Sequence, residues 1–448
     1  MSSLVPMTSY SFADLFAGCG GLSLGLSQAG LRGKFAIERD PMAFETFAAN
    51  FITNPAAVHS FDWPKWLEKQ AWDIEQLLAS HRKDLVGLRG TIDVLAGGPP
   101  CQGFSFAGRR VEDDPRNLLF ERYVEVVDAL QPQALILENV PGMKVAHALR
   151  NVVELPIGGE PPARKRSFYD KLVDSLSAID YEVEAMLVDS SRFGVPQRRS
   201  RLIAVGIRRD LLEWVDDGLK RMFILLEEAR IQQLKALGLP PAVSAASAIS
   251  DLELIDKEIV DCVDPESGRG FKEVRYDGPA TTYQRLMQQG HRGSMNSMRL
   301  ARHRDDVRER FGRILAECRR GVRMDDASRK SYGLKKHRIY PMARSEPAPT
   351  VTTLPDDILH YSEPRILTVR ECARLQSFPD WFAFKGKFTT GGARRTKECP
   401  RYTQVGNAVP PLLAQAIGTA VRNLLVEVAI KKSLFGKIQE KLPAAASA

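Results

Sequence analysis

Residues 12–26, FADLFAGCGGLSLGL, combine a short apolar run, a glycine-rich turn and a second apolar run. The pattern predicts a buried strand, a tight turn and a helix, because glycine adopts the backbone conformations that such a turn requires. Glycines also let the backbone approach a ligand closely, and the N-terminus of the helix can hold an anion. We therefore expect a ligand site at Gly18 and Gly20, where the first strand ends.

An acidic residue, Glu38, follows a second apolar run and lies twenty residues after Gly18. In doubly wound α/β folds an acid at this distance accepts hydrogen bonds from ribose hydroxyls. A nicotinamide dinucleotide site would favour a third glycine where Ser23 stands. The pattern therefore favours an adenosyl ligand whose carboxylate meets the turn, with a dinucleotide as the alternative.

Two later apolar runs each end in a side chain that can do chemistry. Cys101 follows Val94-Leu95-Ala96 and a Gly-Gly-Pro-Pro segment, and Glu138 follows Leu135-Ile136-Leu137. Such folds bind ligands at the carboxyl ends of their strands, and the prolines stiffen the approach to the cysteine. Here Cys101 is a candidate nucleophile rather than a small buried hydrophobe, and Glu138 is a candidate proton donor or hydrogen-bond partner.

The alternation of apolar runs with helix-like stretches up to about residue 205 predicts an α/β fold with a doubly wound, mostly parallel sheet. After that, the sequence becomes more charged and its apolar residues are less regularly spaced, which indicates a second, smaller domain. Regular secondary structure is predicted again at a capping box, Thr368 to Glu371. A last helix is predicted from Pro410-Pro411. The expected divisions are 1–209, 210–363, 364–430 and a C-terminal tail over 431–448.

The composition is that of a globular protein, and its positive charge is compatible with a polyanionic partner but names no ligand. The 448 residues are 44% apolar and carry a formal net charge of +8. No signal peptide or membrane-spanning stretch is recognisable, so a cytoplasmic protein is expected. The six cysteines form no C-x-x-C pair and the histidines no cluster, which argues against disulfides and a metal site.

The most basic stretch of the chain lies in the predicted second domain. Residues 299–323 contain nine arginines and four acidic residues. Val307, Phe311, Ile314 and Leu315 are spaced as one apolar face of a helix, which alone predicts an ordinary surface helix. The surplus of arginines also suits contact with phosphates.

The ordered motifs of the chain resemble those of DNA (cytosine-5) methyltransferases of the prokaryotic type. The motifs that carry the resemblance are DLFAGCGGLSLG (14–25), GGPPCQGFS (97–105), ENV (138–140), QRRSR (197–201), RILTVRECARLQSFP (365–379) and QVGNAVPP (404–411). The stretch from about 210 to 345 lies where that family has its variable target-recognition region. The resemblance therefore implies a large cofactor and catalytic domain, a small DNA-recognition domain, and a final helix that returns to the large domain.

The resemblance implies a mechanism that suits the chemistry of these residues. The Cys101 thiolate adds to C6 of cytosine, so that C5 becomes able to attack the methyl group of S-adenosylmethionine. Glu138 protonates N3, and Arg201, supported by Arg199, binds O2. Loss of the C5 proton then permits elimination of Cys101. The sequence names no base for that proton.

The family pattern also assigns residues to the cofactor and to DNA. Its cofactor positions match Phe16, Gly18, Gly20, Glu38, Asp62, Pro99 and Asn407. Because a stacked base is unreachable, the target cytosine must be flipped out of the duplex, and a loop after Cys101 closes over the DNA. The DNA contacts implied in this way are Gln102, Ser105, Arg109, Arg116 and Gln197.

Three other functions compete with this interpretation. An RNA methyltransferase, acting on transfer RNA, would use the same motifs, although a long arginine-rich recognition region favours double-stranded DNA. A DNA-binding module without activity would not need Cys101, Glu138, Arg199 and Arg201. A nicotinamide enzyme has no use for them either. A cognate restriction enzyme or other phage-defence proteins are the expected partners, and a monomer is the expected state.

Overall fold

The computed structural model describes residues 9–53, 59–99, 119–144, 167–334, 338–391, 394 and 397–441. The α helices in this part of the chain are α1 Gly21–Gln28, α2 Pro41–Phe51, α3 Ile74–Gly87, α4 Leu119–Leu130, α5 Phe168–Ser177, α6 Arg209–Leu212, α7 Lys220–Leu237, α8 Ala245–Ile249, α9 Thr282–Gln288, α10 Asp305–Glu317, α11 Asp326–Ser331, α12 Val369–Leu375, α13 Arg401–Asn407 and α14 Pro411–Lys441. The strands are β1 Ser11–Leu15, β2 Arg32–Ile37, β3 Val94–Gly97, β4 Ala134–Asn139, β5 Tyr181–Asp189, β6 Ser200–Arg208, β7 Ile259–Asp261, β8 Lys272–Val274, β9 Tyr340–Pro341 and β10 Ile358–Leu359.

The first six strands form one sheet in the order β2-β1-β3-β4-β6-β5. The first four of these neighbours are parallel, and β6 is antiparallel to both β4 and β5. Alternate residues of each strand enter two separate apolar clusters: Phe12 and Ile136 lie in one, and Leu15 and Leu135 in the other. The predicted α/β fold with a mostly parallel, doubly wound sheet is therefore confirmed.

Helices cover both faces of this sheet. Apolar residues of α1, α7 and α14 share one cluster with the strands, and those of α3, α4 and α5 share the other. Two glycines of α1 allow α14 to lie unusually close. A Cβ on Gly25 would come within 2.4 Å of the Pro411 oxygen, and one on Gly21 within 2.3 Å of the Val409 oxygen. The final helix thus returns to the sheet, as the motif order implied.

The region after α7 is built differently. It contains two two-stranded sheets, β7-β8 and β9-β10, among short helices. The arginine-rich helix predicted around residue 311 is α10, and it buries Phe311, Ile314 and Leu315. The capping box before α12 is also present, since Thr368 and Glu371 bond each other's backbone N–H groups.

Two predicted boundaries are wrong. Helix α7, assigned to the second domain, packs on α14: Arg221 pairs with Glu427, and Gln233 donates to the Leu412 oxygen at 2.9 Å. The first domain therefore extends past residue 209, because the charged texture of α7 hid one apolar face. Helix α14 also continues to Lys441, so residues 431–441 are helical rather than part of a tail. No proline or glycine cluster stops this helix before Pro443.

One helical stretch, 401–437, is long and apolar enough by composition to cross a membrane. More than half of its most apolar window, 56%, is buried inside the protein. Its apolar side chains include Leu413, Ile417 and Leu424, which lie in the cluster shared with α1 and α7. We therefore interpret the stretch as a core helix.

Candidate active site and cofactor site

The glycine-rich turn after β1 has a backbone that only some residues can adopt. Gly18 and Gly20 have φ of 58° and 97°, and Phe16 has φ of 60°. A Cβ on Gly20 would lie 2.4 Å from the Phe51 ring, so this position requires glycine. A non-glycine residue with positive φ is strained by about 1–3 kcal/mol, and such strain concentrates at ligand sites. The turn therefore has the properties of a binding loop.

Glu38, at the end of β2, is joined to this turn. One carboxylate oxygen accepts the Gly18 N–H at 2.9 Å, and the other accepts the Asp40 N–H at 2.7 Å. Burial raises the pKa of Glu38, while these two N–H groups oppose the rise. Each oxygen keeps a second lone pair, so the carboxylate can still accept hydrogen bonds from a diol. Sequence and structure agree on the position of this acid.

The segment that contains Asn407 lies against the same turn. The Cys19 Sγ is 3.7 Å from the Gln404 oxygen, and Gly21 touches Val409. Asn407 ends α13 and is exposed. Burial raises the pKa of Cys19 to about 12, so this cysteine remains a thiol and serves the packing of the segment.

The structure places Asp62 at the wrong edge of the sheet for the role predicted for it. Its N–H donates to the Gly33 oxygen at 2.9 Å, near the start of β2. Glu38 lies five residues further along the chain, about 16 Å away at the usual rise of a strand. The Asp62 side chain is 65% exposed and pairs with Lys34 at 2.5 Å. Asp62 is therefore a surface ion-pair partner, and the prediction that it contacts the adenine is not supported.

A different acid lies beside Glu38. The Trp72 N–H donates to the Glu38 oxygen at 2.9 Å, and Asp73 follows as the N-cap of α3, accepting the Glu75 N–H at 2.8 Å. Asp73 was not among the residues predicted from the sequence. The available signal was local: Asp73 precedes the apolar face of a helix, which is typical of an N-cap at a strand-to-helix edge.

Glu138 and Arg201 meet at the ends of neighbouring strands. Because β4 and β6 are antiparallel, with Glu138 opposite Ile203, the two side chains reach the same edge of the sheet. The Arg201 Nε lies 2.6 Å from the Glu138 Oε1, and the side chains are 13% and 12% exposed. This ion pair between nearly buried groups places the acid and the guanidinium next to each other. The structure thus brings together two of the predicted catalytic side chains.

The backbone just before Cys101, at Gly98 and Pro99, lies against the end of β4 that carries Glu138. Asn139, next to Glu138, donates its side-chain N–H to the Pro99 oxygen at 3.0 Å. Gly98 lies under Glu138, since a Cβ there would be 3.1 Å from the Glu138 backbone oxygen. Cys101, Gln102, Ser105, Arg109 and Arg116 themselves lie outside the described residues.

Two residues of the QRRSR motif have structural roles. Gln197 is completely buried, and its amide bonds the Val351 N–H, the Leu375 oxygen and Gln376. It cannot contact DNA in this arrangement, so that prediction is corrected. Arg199 is also buried and donates to the oxygens of Val351 and Gly406, at 3.0 and 2.9 Å.

The hydrogen bonds of Arg199 are with the fold, and its charge lies near that of Arg201. Burial, followed by the nearby charge of Arg201, lowers the pKa of Arg199 well below its usual value. Its two bonds to carbonyl oxygens join the residue just before β6 to the segment before β10 and to the end of α13.

The mostly parallel sheet, the binding turn at its carboxyl edge and the acid beside it define an α/β methyltransferase. A solved structure of similar fold has a TM-score of 0.62 and 26% sequence identity, covering 93% of this chain and 100% of its own. It is described as a DNA modification methyltransferase encoded within a prophage of E. coli.

Residues 10–423 match the family of C-5 cytosine-specific DNA methylases, and the chain belongs to that family. The Type II methyltransferase M.DdeI of Desulfomicrobium norvegicum is 31% identical over 91% of this chain and 87% of its own length. The Type II methyltransferase M1.HphI of Haemophilus parahaemolyticus is 29% identical over 93% and 88%. The protein is thus a DNA (cytosine-5) methyltransferase, as its motif series predicted.

Proposed function

We propose that the protein transfers a methyl group to C5 of a flipped-out cytosine in a specific double-stranded DNA sequence, with Cys101 as the covalent nucleophile. The observation that carries this proposal is the contact of Glu138 with Arg201 beside Pro99. N3 and O2 are adjacent atoms of cytosine, and a neighbouring acid and guanidinium suit them together. Pro99 leads to Cys101 from the same edge of the sheet.

Each residue has one task in this mechanism. The Cys101 thiolate bonds to C6, while Glu138 gives a proton to N3 and Arg201 binds O2. S-adenosylmethionine, when bound, would supply the methyl group that C5 takes and would leave as S-adenosylhomocysteine. A water molecule then takes the C5 proton, the C5–C6 double bond forms again as the Cys101 thiolate leaves, and the N3 proton returns to Glu138. Gln102, Ser105, Arg109 and Arg116 are proposed to hold the DNA around this base.

The residues at the turn fit S-adenosylmethionine. Glu38 has acceptor capacity for the ribose hydroxyls, and the backbone at Gly18 and Gly20 suits the carboxylate of the methionine part. Phe16, Pro99 and Asn407 complete the proposed set. Asp73 replaces Asp62 as the proposed acceptor for the adenine amino group, because Trp72 is bonded to Glu38.

The setting is proposed from the relatives. Those compared above are named Type II methyltransferases, which favours a restriction-modification system with a cognate restriction enzyme as partner. A cytoplasmic monomer is the simplest form for such an enzyme.

The test is bisulfite sequencing of plasmid DNA from methylation-deficient cells that express the chain. We expect protected cytosines in one short motif, and none with Cys101→Ser. Cys262→Ser is the matched control, because this partly buried cysteine directly follows β7 and does not belong to the six-stranded sheet. Purified protein should also form a covalent adduct with 5-fluorocytosine DNA, and adduct formation by Cys101→Ser would refute the nucleophile assignment.

A further inference from the structure

A column of alternating arginines and phenylalanines runs through the small region, which comprises the residues between α7 and α14 (238–410). Arg299 lies 4.1 Å from the centre of the Phe271 ring and 3.8 Å from that of Phe388. Arg302 lies 4.2 Å from Phe271, and Arg401 lies 4.3 Å from Phe388. Two guanidinium groups cannot occupy one ring face at such distances without overlap, so they lie on opposite faces. The order is Arg401, Phe388, Arg299, Phe271, Arg302.

The inner end of the column is anchored. Arg401 is 1% exposed and donates to Asp264, to the Ser297 hydroxyl at 2.9 Å and to the Gly386 oxygen at 2.9 Å. Arg299 donates to the Ser267 oxygen at 3.1 Å. Every guanidinium inside the column therefore has hydrogen-bond partners that fix its position.

The outer end differs. Arg302 is exposed, and within the described residues its guanidinium makes no hydrogen bond or ion pair. Stacking on Phe271 holds its plane, so little side-chain entropy is lost when its N–H groups find acceptors. An arginine that is held in place with its donors unused is prepared for a ligand.

Arg302 lines an open groove of about 920 Å³ that also reaches Asn407 of the proposed cofactor set. The groove carries a carboxylate, Asp356, and hydroxyls such as those of Thr353 and Thr389. A carboxylate repels phosphates but accepts from the amino groups of bases. This mixture of donors and acceptors suits base edges better than the DNA backbone.

We propose that Arg302 determines sequence specificity by donating two hydrogen bonds to O6 and N7 of one guanine in the recognition sequence. These two acceptors match the fork of a guanidinium, and a correct pair of this kind favours guanine over other bases roughly 5- to 150-fold. Phe271 is the positioning residue that holds the fork. This proposal depends on the activity that the family membership shows, which is methylation of cytosine in DNA.

The experiment is bisulfite sequencing of a plasmid library with randomised sequence, methylated by the wild type, Arg302→Ala and Arg302→Lys. With Arg302→Ala, we expect one guanine of the motif to lose its preference while the other positions keep theirs. With Arg302→Lys, the preference for that guanine should be kept only in part, because lysine lacks the guanidinium fork. Phe271→Leu should relax the same position by a smaller factor.

Arg304→Ala is the matched control, since Arg304 is 81% exposed and pairs with Asp306. It should leave the motif unchanged. An unchanged motif with Arg302→Ala would overturn the proposal. If the rate then fell equally at all sites, Arg302 would be a phosphate contact. The slope of the logarithm of the DNA-binding constant against the logarithm of the salt concentration should in that case become shallower by about one. Absence of methylation by the wild type would instead refute the DNA activity itself.

Discussion

The two regions of this enzyme differ in the charged side chains that they bury. The sheet region buries long apolar side chains in two large clusters, one on each face. One of these clusters continues into the small region, where it includes Leu375, Phe378 and Phe382. Two smaller apolar clusters lie around Phe311 and around Leu252. Its largest buried side chains are arginines, Arg370, Arg374 and Arg401. Both regions are therefore stabilised by apolar burial, and the small one adds a larger set of buried charged side chains.

The buried arginines supply hydrogen bonds to backbone oxygens that no helix or strand pairs. Arg370 donates to the oxygens of Asn296, Pro379 and Phe382, which belong to irregular segments. Such segments cannot bond each other in a ladder, so their backbone groups need side-chain partners. A region that must vary in its loops can keep a fixed shape in this way.

The largest expected effect lies in the sheet region and should leave its stability intact. Glu138→Gln removes the proposed proton donor but keeps the size and polarity of the side chain. We expect the rate of methyl transfer to fall by roughly 10²–10⁴-fold. Single-turnover kinetics measures the rate, and urea unfolding should show a free energy near that of the wild type. An unchanged rate would remove Glu138 from the mechanism.

The next effect tests the forces in the small region. Arg374 is fully buried and lies between two carboxylates, 2.6 Å from Asp380 and 3.1 Å from Asp251. Arg374→Met leaves both charges without their partner, so we expect the free energy of unfolding to fall by about 3–5 kcal/mol.

Urea denaturation measures this change, with Arg304→Met as the surface control at below about 1 kcal/mol. Leu135→Ala in the sheet should cost about 2–5 kcal/mol through the cavity it leaves. A loss of less than about 1 kcal/mol for Arg374→Met would show that apolar contacts hold both regions.

Two buried acids, one in each region, should respond to pH in opposite directions. Asp14 of β1 is buried and accepts the Ser23 hydroxyl at 2.6 Å, and burial raises its pKa to about 7. The folded protein then binds this proton more tightly than the unfolded chain. Stability from Asp14 is therefore present at low pH and declines as the pH rises from about 4 to 7.

Asp14→Asn should remove this decline, which amounts to roughly 1–3 kcal/mol between about pH 5 and 7. In the small region, burial alone would raise the pKa of Glu371, but Arg365 holds it below its usual value. Its contribution is lost only as the pH falls through that lowered pKa. Unfolding curves at several pH values check both trends, and identical slopes for the wild type and Asp14→Asn would contradict the first.

The smallest effect distinguishes the two edges of the sheet. Asp73→Ser keeps a helix cap but loses the carboxylate, so we expect roughly 2- to 10-fold weaker binding of S-adenosylhomocysteine. Asp62→Ser, at the opposite edge, should bind as the wild type does. Calorimetry measures both affinities. Weaker binding by Asp62→Ser alone would restore the original prediction.

The sequence was most informative where local chemistry determines structure. The turn at Gly18 and Gly20, the capping box at Thr368 and the start of α14 follow from residues a few positions apart. The ends of β3 and β4 were also predictable, because parallel strands deliver their last residues to one edge.

Predictions failed where contacts with segments far away in the sequence determine the position of a side chain. Gln197 and Arg199 are buried by Val351 and by Gly406, more than 150 residues later. No local pattern distinguishes such arginines from exposed ones. Asp62 was misplaced because its register against β2 depends on how the chain returns from α2, and the column ending in Arg302 joins residues from four separate segments.

The close contact of α1 with α14 has a consequence for biosynthesis. The Arg422 guanidinium bonds the Ala29 oxygen at 2.7 Å, although the two residues are 393 positions apart. On the ribosome, the first helix must wait for nearly all of the remaining chain before its glycine face is covered. Long-range closure of this kind slows folding and prolongs exposure of apolar surface. A nascent chain therefore cannot complete its ligand turn, or modify DNA, until translation has passed the residues that cover it.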